Sequence, residues 1–395
     1  MNEIYLDHAA TTKLDERVLQ KMMPYFTEYY GNANSQHGMG RDAQKAVDEA
    51  RDEIAKLIGA QPNEIYFTSG GTEADNWVLR GICKALSHKG KHIITTKIEH
   101  AAMLSTAKEL EKEGYEFTFL NVDNEGFVDL TELEKSIRPD TILVSCMYAN
   151  NEIGTIEPIK KIAEIAHAHG VLCHTDAVQA MGAMRINVRD LGVDMMSFSA
   201  HKFNGPKGMG ALFIKTGVPV GRLISGGHQE RTRRGGTTNV PGVVGFAEAL
   251  RLTYETLDED VKHVAALRDR FVKRVLEEVP YVKFNGPKDM TKRLPNNADF
   301  SFEYIEGESI LFSLDLAGIA VSSGSACSSG SLEPSHVLLA IGVPEELAHG
   351  SIRFTFGKEN TEEEVDYTVE KIKETVERLR RMSPLFRLDG TLKEV

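Results

Sequence analysis

Short runs of β-branched and aromatic residues recur through the first half of the chain, separated mostly by stretches whose apolar positions fall three and four apart. Ile65-Tyr66-Phe67, His92 to Thr95, Phe117 to Leu120, Ile142 to Ser145, Val171 to His174, Met195 to Phe198 and Ala211 to Ile214 read as strands. Residues 159–169 give the helical spacing between two of them. Such alternation predicts an α/β fold of parallel strand–helix–strand units with helices on both faces of a mainly parallel seven-stranded sheet. In sheets of that kind the ligand crevice lies at the carboxyl ends of the strands, so chemistry is sought just after each one. Ahead of this block, Ala43, Val47, Ala50, Ile54 and Leu57 follow helical spacing, and Gly59 stops that helix. Behind it come a long helix carrying Val264, Leu267, Phe271 and Val275, a strand near residues 300–302, a helix over 308–316 and a strand over 352–356. A last helix begins at Thr361 with Glu364 three residues on, a capping box, and buries Val365, Val369, Ile372, Val376 and Leu379. The expected organisation is a large domain over residues 14–255 and a smaller α+β domain formed by 1–13 and 256–395.

Composition narrows the classes. With 395 residues, 41% apolar and 26% charged, the chain can bury a substantial core. No apolar stretch is long enough to span a membrane, and no basic segment followed by an apolar one marks a secretory signal. A net charge of -12 argues against direct nucleic-acid binding, which needs a basic face. Cys83, Cys146, Cys173 and Cys327 are too few and scattered for a disulfide framework, so a cytoplasmic location is expected. The first three lie in helix or strand patterns and read as core residues.

Several segments sit where a sheet crevice would place chemistry. Lys202, in Ser197-Phe198-Ser199-Ala200-His201-Lys202, follows a strand and precedes three glycines. A partly desolvated lysine there is suited to forming a Schiff base; a surface-loop lysine fits the same pattern. Upstream, Asp176 in His174-Thr175-Asp176-Ala177-Val178-Gln179 also follows a strand. It can pair with a protonated ring nitrogen, as pyridoxal phosphate chemistry requires, or simply cap a helix. Thr68-Ser69-Gly70-Gly71-Thr72-Glu73 opens a helix with free backbone N–H groups able to hold one phosphate, or forms a tight glycine turn. It matches neither a P-loop nor a dinucleotide fingerprint. His100 can stack on a planar ring or shuttle protons, although most lone histidines do neither. Asn150-Asn151 can donate to a hydroxyl or carboxylate, or belong to a turn. Arg353 can grip a carboxylate bidentately, or be a surface charge on an edge strand. Cys327 sits among small residues in Ser322-Ser323-Gly324-Ser325-Ala326-Cys327-Ser328-Ser329-Gly330-Ser331. That setting suits a nucleophile that must move between substrate and partner, or a linker with an incidental thiol. His167, His169, Cys173 and His174 fit no usual zinc spacing, so no metal site is expected.

Taken in order, these segments resemble the NifS/IscS-type cysteine desulfurases, within the class V, fold-type I pyridoxal phosphate enzymes. The similarity starts at Tyr5-Leu6-Asp7-His8-Ala9-Ala10-Thr11-Thr12, takes in residues 31–38, 68–76, 99–103, 150–155, 174–179, 197–208, 233–239 and 322–338, and ends near 351–357. The extended cysteine segment resembles the group I branch. The resemblance implies pyridoxal 5'-phosphate bound through Lys202, with Asp176 at the ring nitrogen, Gln179 at the ring's phenolic oxygen and His100 over the ring. It implies a phosphate held by Gly71, Thr72, Ser199 and His201, with Thr237 lent across a homodimer. It implies L-cysteine held by Asn151 and Arg353, and sulfur taken by Cys327. The sulfur would then pass to an iron–sulfur scaffold protein or another acceptor. A selenocysteine lyase and a partner-dependent sulfur-transfer scaffold are the rival readings.

Overall fold

The computed structural model describes residues 3–323, 333–384 and 386. A short N-terminal strand, β1 (Ile4–Tyr5), precedes the strands of the large sheet: β2 (Ile65–Thr68), β3 (His92–Thr96), β4 (Glu116–Leu120), β5 (Thr141–Ser145), β6 (Leu172–Asp176), β7 (Met195–Ser199) and β8 (Gly210–Ile214). They pair in the order β2-β8-β7-β6-β5-β3-β4. The expected strands are all present, displaced by a residue or two at their ends.

Both faces of this sheet are covered, and the pleat shows how. Along β3, β5, β7 and β8, Ile93, Leu143, Met195 and Leu212 face one apolar layer with Trp77, Ile82 and Leu110. Their neighbours Ile94, Val144, Met196 and Phe213 face the other, with Val47, Ile54, Ile162, Phe246 and Leu250. Successive side chains point to opposite faces, so a strand buried on both sides reads as a continuous apolar run. The helix Gly38–Ile58 contributes its Ala43, Val47, Ala50, Ile54 and Ile58 stripe and ends at Gly59, whose φ of +72° is the left-handed cap that glycine adopts without a Cβ clash.

One feature departs from uniformly parallel units. β8 runs antiparallel to both β7 and β2. Only a single 3-10 turn, Ala200–Lys202, lies between β7 and β8, and a parallel crossover needs a longer connection.

The smaller layer is a four-stranded antiparallel sheet of β9 (Val282–Phe284), β10 (Asn297–Phe302), β12 (Ser322–Ser323) and β13 (Ser351–Thr355), ordered β12-β13-β10-β9. Its core holds Phe271, Phe300, Phe302, Phe354 and Phe356 with Val365, Val369, Ile372 and Val376 of the helix Glu362–Met382. Thr361 and Glu364 form the expected capping box at that helix. β1 pairs in parallel with β11 (Ile319–Ala320), so the N-terminal residues join this layer. The helix Val240–Glu278 spans 39 residues and packs its first half in the large core and its second in the small one. Asp7-His8-Ala9-Ala10 crosses between the layers and brings the chain's start beside the carboxyl ends of β6 and β7.

Candidate active site

A cavity of about 280 Å³ opens at those carboxyl ends, with Lys202, Asp176, His100, Gly71 and Arg353 in its wall. Ser199 ends β7, and the 3-10 turn that follows carries Lys202 just past the strand's carboxyl end. Lys202 Nζ donates to the carbonyls of Ala9 at 2.5 Å and Ala10 at 2.9 Å. Gln179 Nε2 donates to the same Ala9 carbonyl at 2.9 Å, so the N-terminal segment ties the loops after β6 and β7 together.

Asp176 is the last residue of β6 and is buried. Its Oδ1 accepts the Val178 N–H at 2.9 Å, an i to i+2 turn rather than a helix cap. Burial raises its pKa, while the Val178 N–H, His100 and Lys202 pull it back down. His100 caps the helix Ala101–Lys112, its Nδ1 accepting the Ala102 N–H at 3.1 Å. Burial lowers its pKa against the opposing charge of Asp176, so the ring is neutral near pH 7. His201 is likewise pushed down to about 4, by burial and by Lys202 and Lys207, and its Nδ1 lies 3.1 Å from Thr11 Oγ1.

The helix Gly71–Leu86 has no side-chain cap, so its first N–H groups stay open towards the cavity. A Cβ on Gly71 would lie 2.7 Å from Val178 Cγ2, and one on Gly210 would lie 2.6 Å from Gly70 Cα. Glycines thus let this helix start press against the loop after Asp176 and against β8. Ser199, Thr72 and His201 complete that end of the cavity. At the other end, β13 supplies Arg353, which is 4% exposed. Its Nη1 donates to the Asn151 carbonyl at 2.9 Å and its Nη2 to Asp7 Oδ1 at 3.0 Å. The Asn150–Gly154 segment is a turn, with the Asn150 side chain accepting the Glu152 and Ile153 N–H groups, while Asn151 lines the cavity.

The structure therefore gathers every expected site residue except two. Thr237 lies in a neighbouring recess of about 160 Å³ with Ser69 and Arg234, not in the wall that holds Lys202. Cys327 lies outside the described residues. Cys83, Cys146 and Cys173 are buried thiols, and burial pushes the Cys83 pKa up to about 12. His174, weighed above as a metal ligand, instead bonds Ser145 Oγ and Ser197 Oγ at 2.8 and 3.0 Å. Sequence reasoning gave no role to Asp7, Ala9, Ala10 or Asp75, although all four lie within segments that carried the resemblance.

These residues fit pyridoxal phosphate. A buried carboxylate at the cavity floor suits a protonated ring nitrogen, an uncapped glycine helix start suits a phosphate, and Lys202 stands in the same wall. The arrangement can hold a flat anionic cofactor and a carboxylate substrate side by side.

Residues 4–368 match the family described as Aminotransferase class-V. The chain is 52% identical over 384 residues to the cysteine desulfurase IscS of Clostridium botulinum, covering 97% of each chain. It is 53% identical over 382 residues to the cysteine desulfurase IscS of Dictyoglomus turgidum, covering 97% of this chain and 96% of that one. Among solved structures it resembles a NifS-like protein at TM-score 0.90 and 43% identity, over 95% of this chain and all of that one.

Proposed function

The chain belongs to the class V aminotransferase family, and from that premise we propose that its cavity carries out the desulfuration of L-cysteine to L-alanine. It is a pyridoxal phosphate-dependent cysteine desulfurase with the mainly parallel fold-type I sheet. The observation that carries the assignment is the meeting of Lys202, Asp176 and Arg353 in one cavity wall, each from a different stretch of the chain.

When bound, the cofactor's protonated ring draws electrons from the substrate α-carbon. Asp176 would hold a proton at the ring nitrogen, and His100 would lie against the ring. Gly71, Thr72, Ser199 and His201 would hold the phosphate, with His201 as a neutral hydrogen-bonding ring. Gln179, fixed on the Ala9 carbonyl, would hold the phenolic oxygen. Asn151 and Arg353 bind the substrate carboxylate. Lys202 Nζ would hold the cofactor and would serve as the base that takes the substrate α-proton and later returns one. Cys327 Sγ attacks the substrate sulfur as a thiolate. Its S–S bond forms as the substrate C–S bond breaks; the C–S electron pair stays with the substrate carbon, which takes up a proton to become the methyl of alanine, and Cys327 is left as a persulfide.

A homodimer is part of this reading. Leu19, Met23, Phe26, Tyr29, Tyr30 and Met39 are large apolar side chains left exposed near the start of the chain, which supports a covered face. The separate recess of Thr237 supports a residue given to a partner's phosphate. Acceptors of the persulfide sulfur are an iron–sulfur scaffold protein or another thiolated partner. Buried free thiols at Cys83, Cys146 and Cys173 support a reducing, cytoplasmic setting. Among the described residues no helix is long and apolar enough to cross a membrane.

The test is alanine formation from L-cysteine with a reductant by the cofactor-loaded protein, alongside Cys327→Ser. The variant is expected to bind cofactor and L-cysteine, with a visible spectral change, yet form no persulfide. Alanine and sulfide at the wild-type rate from that variant would refute the role of Cys327.

A further inference from the structure

Asp75 projects from the helix Gly71–Leu86 into the floor of the same cavity and is 1% exposed. Neither of its carboxylate oxygens makes a hydrogen bond among the described residues. An ionised carboxylate left in that state is costly, because nothing replaces the water it has lost. Its neighbours offer no counter-charge. His174, on β6, has its Nε2 3.9 Å from Asp75 Oδ1, but both ring nitrogens are engaged by serine hydroxyls. Burial pushes its pKa down to about 3, so it is not a cation. Glu99, after β3, is buried too and bonds the Met147 N–H and the Thr96 hydroxyl. Burial drives its pKa up to about 8. Asp176 faces Asp75 as a like charge, but it alone has the Val178 N–H and the nearby cation of Lys202 to stabilise ionisation. Burial and then the charge of Asp176 lift the Asp75 pKa well above the carboxylate range; the Ser197 hydroxyl, bonded to His174 rather than to Asp75, pulls it down by more than Glu99 adds.

Resting on the desulfurase reading, we infer that Asp75 is a positioning residue for the cofactor. It stays a neutral carboxylic acid at neutral pH, so that Asp176 is the anion of the pair and meets the ring nitrogen undivided. Carboxyls sharing a water-excluded site do not ionise together; the one with donors and a cation keeps the charge, and the other keeps the proton. Asp75 thereby sets the charge on Asp176 without contributing a second negative charge beneath the ring.

The experiment is a carbon-13 NMR pH titration of the protein labelled at its aspartate carboxyls, with and without added pyridoxal phosphate, with Asp75→Asn assigning the resonance. The resonance missing from the variant is expected at the protonated-acid position at neutral pH, moving to the carboxylate position only on raising the pH. In the loaded wild-type protein, any step in visible absorbance that tracks this resonance should be lost, or displaced by at least about one pH unit, in Asp75→Asn. A resonance already at the carboxylate position at neutral pH overturns the inference, as does a tracking step that survives unchanged in the variant. Should Asp75→Asn fail to fold, Asp75→Ser assigns the same resonance. A wild-type chain that takes up no pyridoxal phosphate would sink the desulfurase reading itself, while the NMR titration would still decide the state of Asp75.

Discussion

Arg353 Nη1 donates to the backbone carbonyl of Asn151 at 2.9 Å, joining a strand of the small sheet to the turn after β5 of the large one. With Nη2 on Asp7 at 3.0 Å, the guanidinium is fixed by two bonds, while its buried Nε makes none among the described residues. A planar fork clamped in this way keeps its remaining N–H donors for a ligand in the cavity it lines, at little entropic cost. Arg353→Lys keeps the charge but loses the fork. Hydrogen bonds to a charged partner contribute about 1.5–3 kcal/mol, so the KM for L-cysteine should rise about 10- to 100-fold, with a smaller change in kcat. Steady-state alanine formation measures this, and an unchanged KM would remove Arg353 from the carboxylate site.

Gly71 is held to glycine by Val178, since a Cβ there would stand 2.7 Å from a methyl of a stiff, β-branched side chain. Gly71→Ala forces the helix start and the loop after Asp176 apart, at an overpacking cost of about 1–3 kcal/mol. That strain falls where the phosphate is to sit. Cofactor affinity should weaken by about 5- to 100-fold. Fluorescence titration with pyridoxal phosphate reads it, and wild-type affinity in the variant would place the phosphate elsewhere.

The strands were legible because burial on both faces leaves continuous apolar runs, as at Ile93-Ile94 and Met195-Met196. The capping box at Thr361 and the stop at Gly59 were legible because each is local chemistry. The first half of the helix Val240–Glu278 was not. Pro241, Gly242 and Gly245 lie in its opening turns, and only tertiary packing identifies them as helical: a Cβ on Gly245 would sit 2.5 Å from Met22 Sδ. The antiparallel setting of β8 was hidden as well, because it depends on a connection length rather than on the strand's own residues. In the site, lysine, histidine, aspartate and arginine stood out by their chemistry. Ala9 and Ala10 did not, since they act through backbone carbonyls, which any residue supplies. Asp75 was masked by its place inside a helix, where a charged residue usually means a solvated face.

Phe271 ties the long helix to the small sheet. Its ring lies 4.7 Å from that of Phe354, 5.4 Å from Phe356 and 6.1 Å from Phe300. Truncation removes a fully buried ring from the middle of that cluster. Phe271→Ala should cost about 3–5 kcal/mol of unfolding free energy. Because β13 carries Arg353, L-cysteine binding should suffer more than cofactor binding. Urea unfolding together with both ligand titrations checks the claim, and a loss below about 1 kcal/mol would contradict it.

Glu157 gives a pH dependence of definite sign. It precedes the helix Ile159–Ala168, and its Oε2 accepts the Val128 N–H at 3.2 Å while Oε1 has no partner among the described residues. Burial raises its pKa to about 8, only partly offset by that N–H, with Glu99 and Asp123 adding to the rise. The folded protein therefore holds a proton that the unfolded chain releases above about 4.5. The neutral carboxyl's stabilising contribution is complete below that pH and drains away as pH climbs to about 8. In Glu157→Gln the position is neutral throughout, so the variant escapes this loss. Glu99 and Glu152, raised to about 8 and about 7, slope the same way but are present in both proteins. The stability of Glu157→Gln relative to wild type should accordingly grow by about 3–5 kcal/mol between pH 5 and pH 8. Urea unfolding of both proteins across that range measures the difference, and parallel curves would mean that Glu157 is ionised in the folded state.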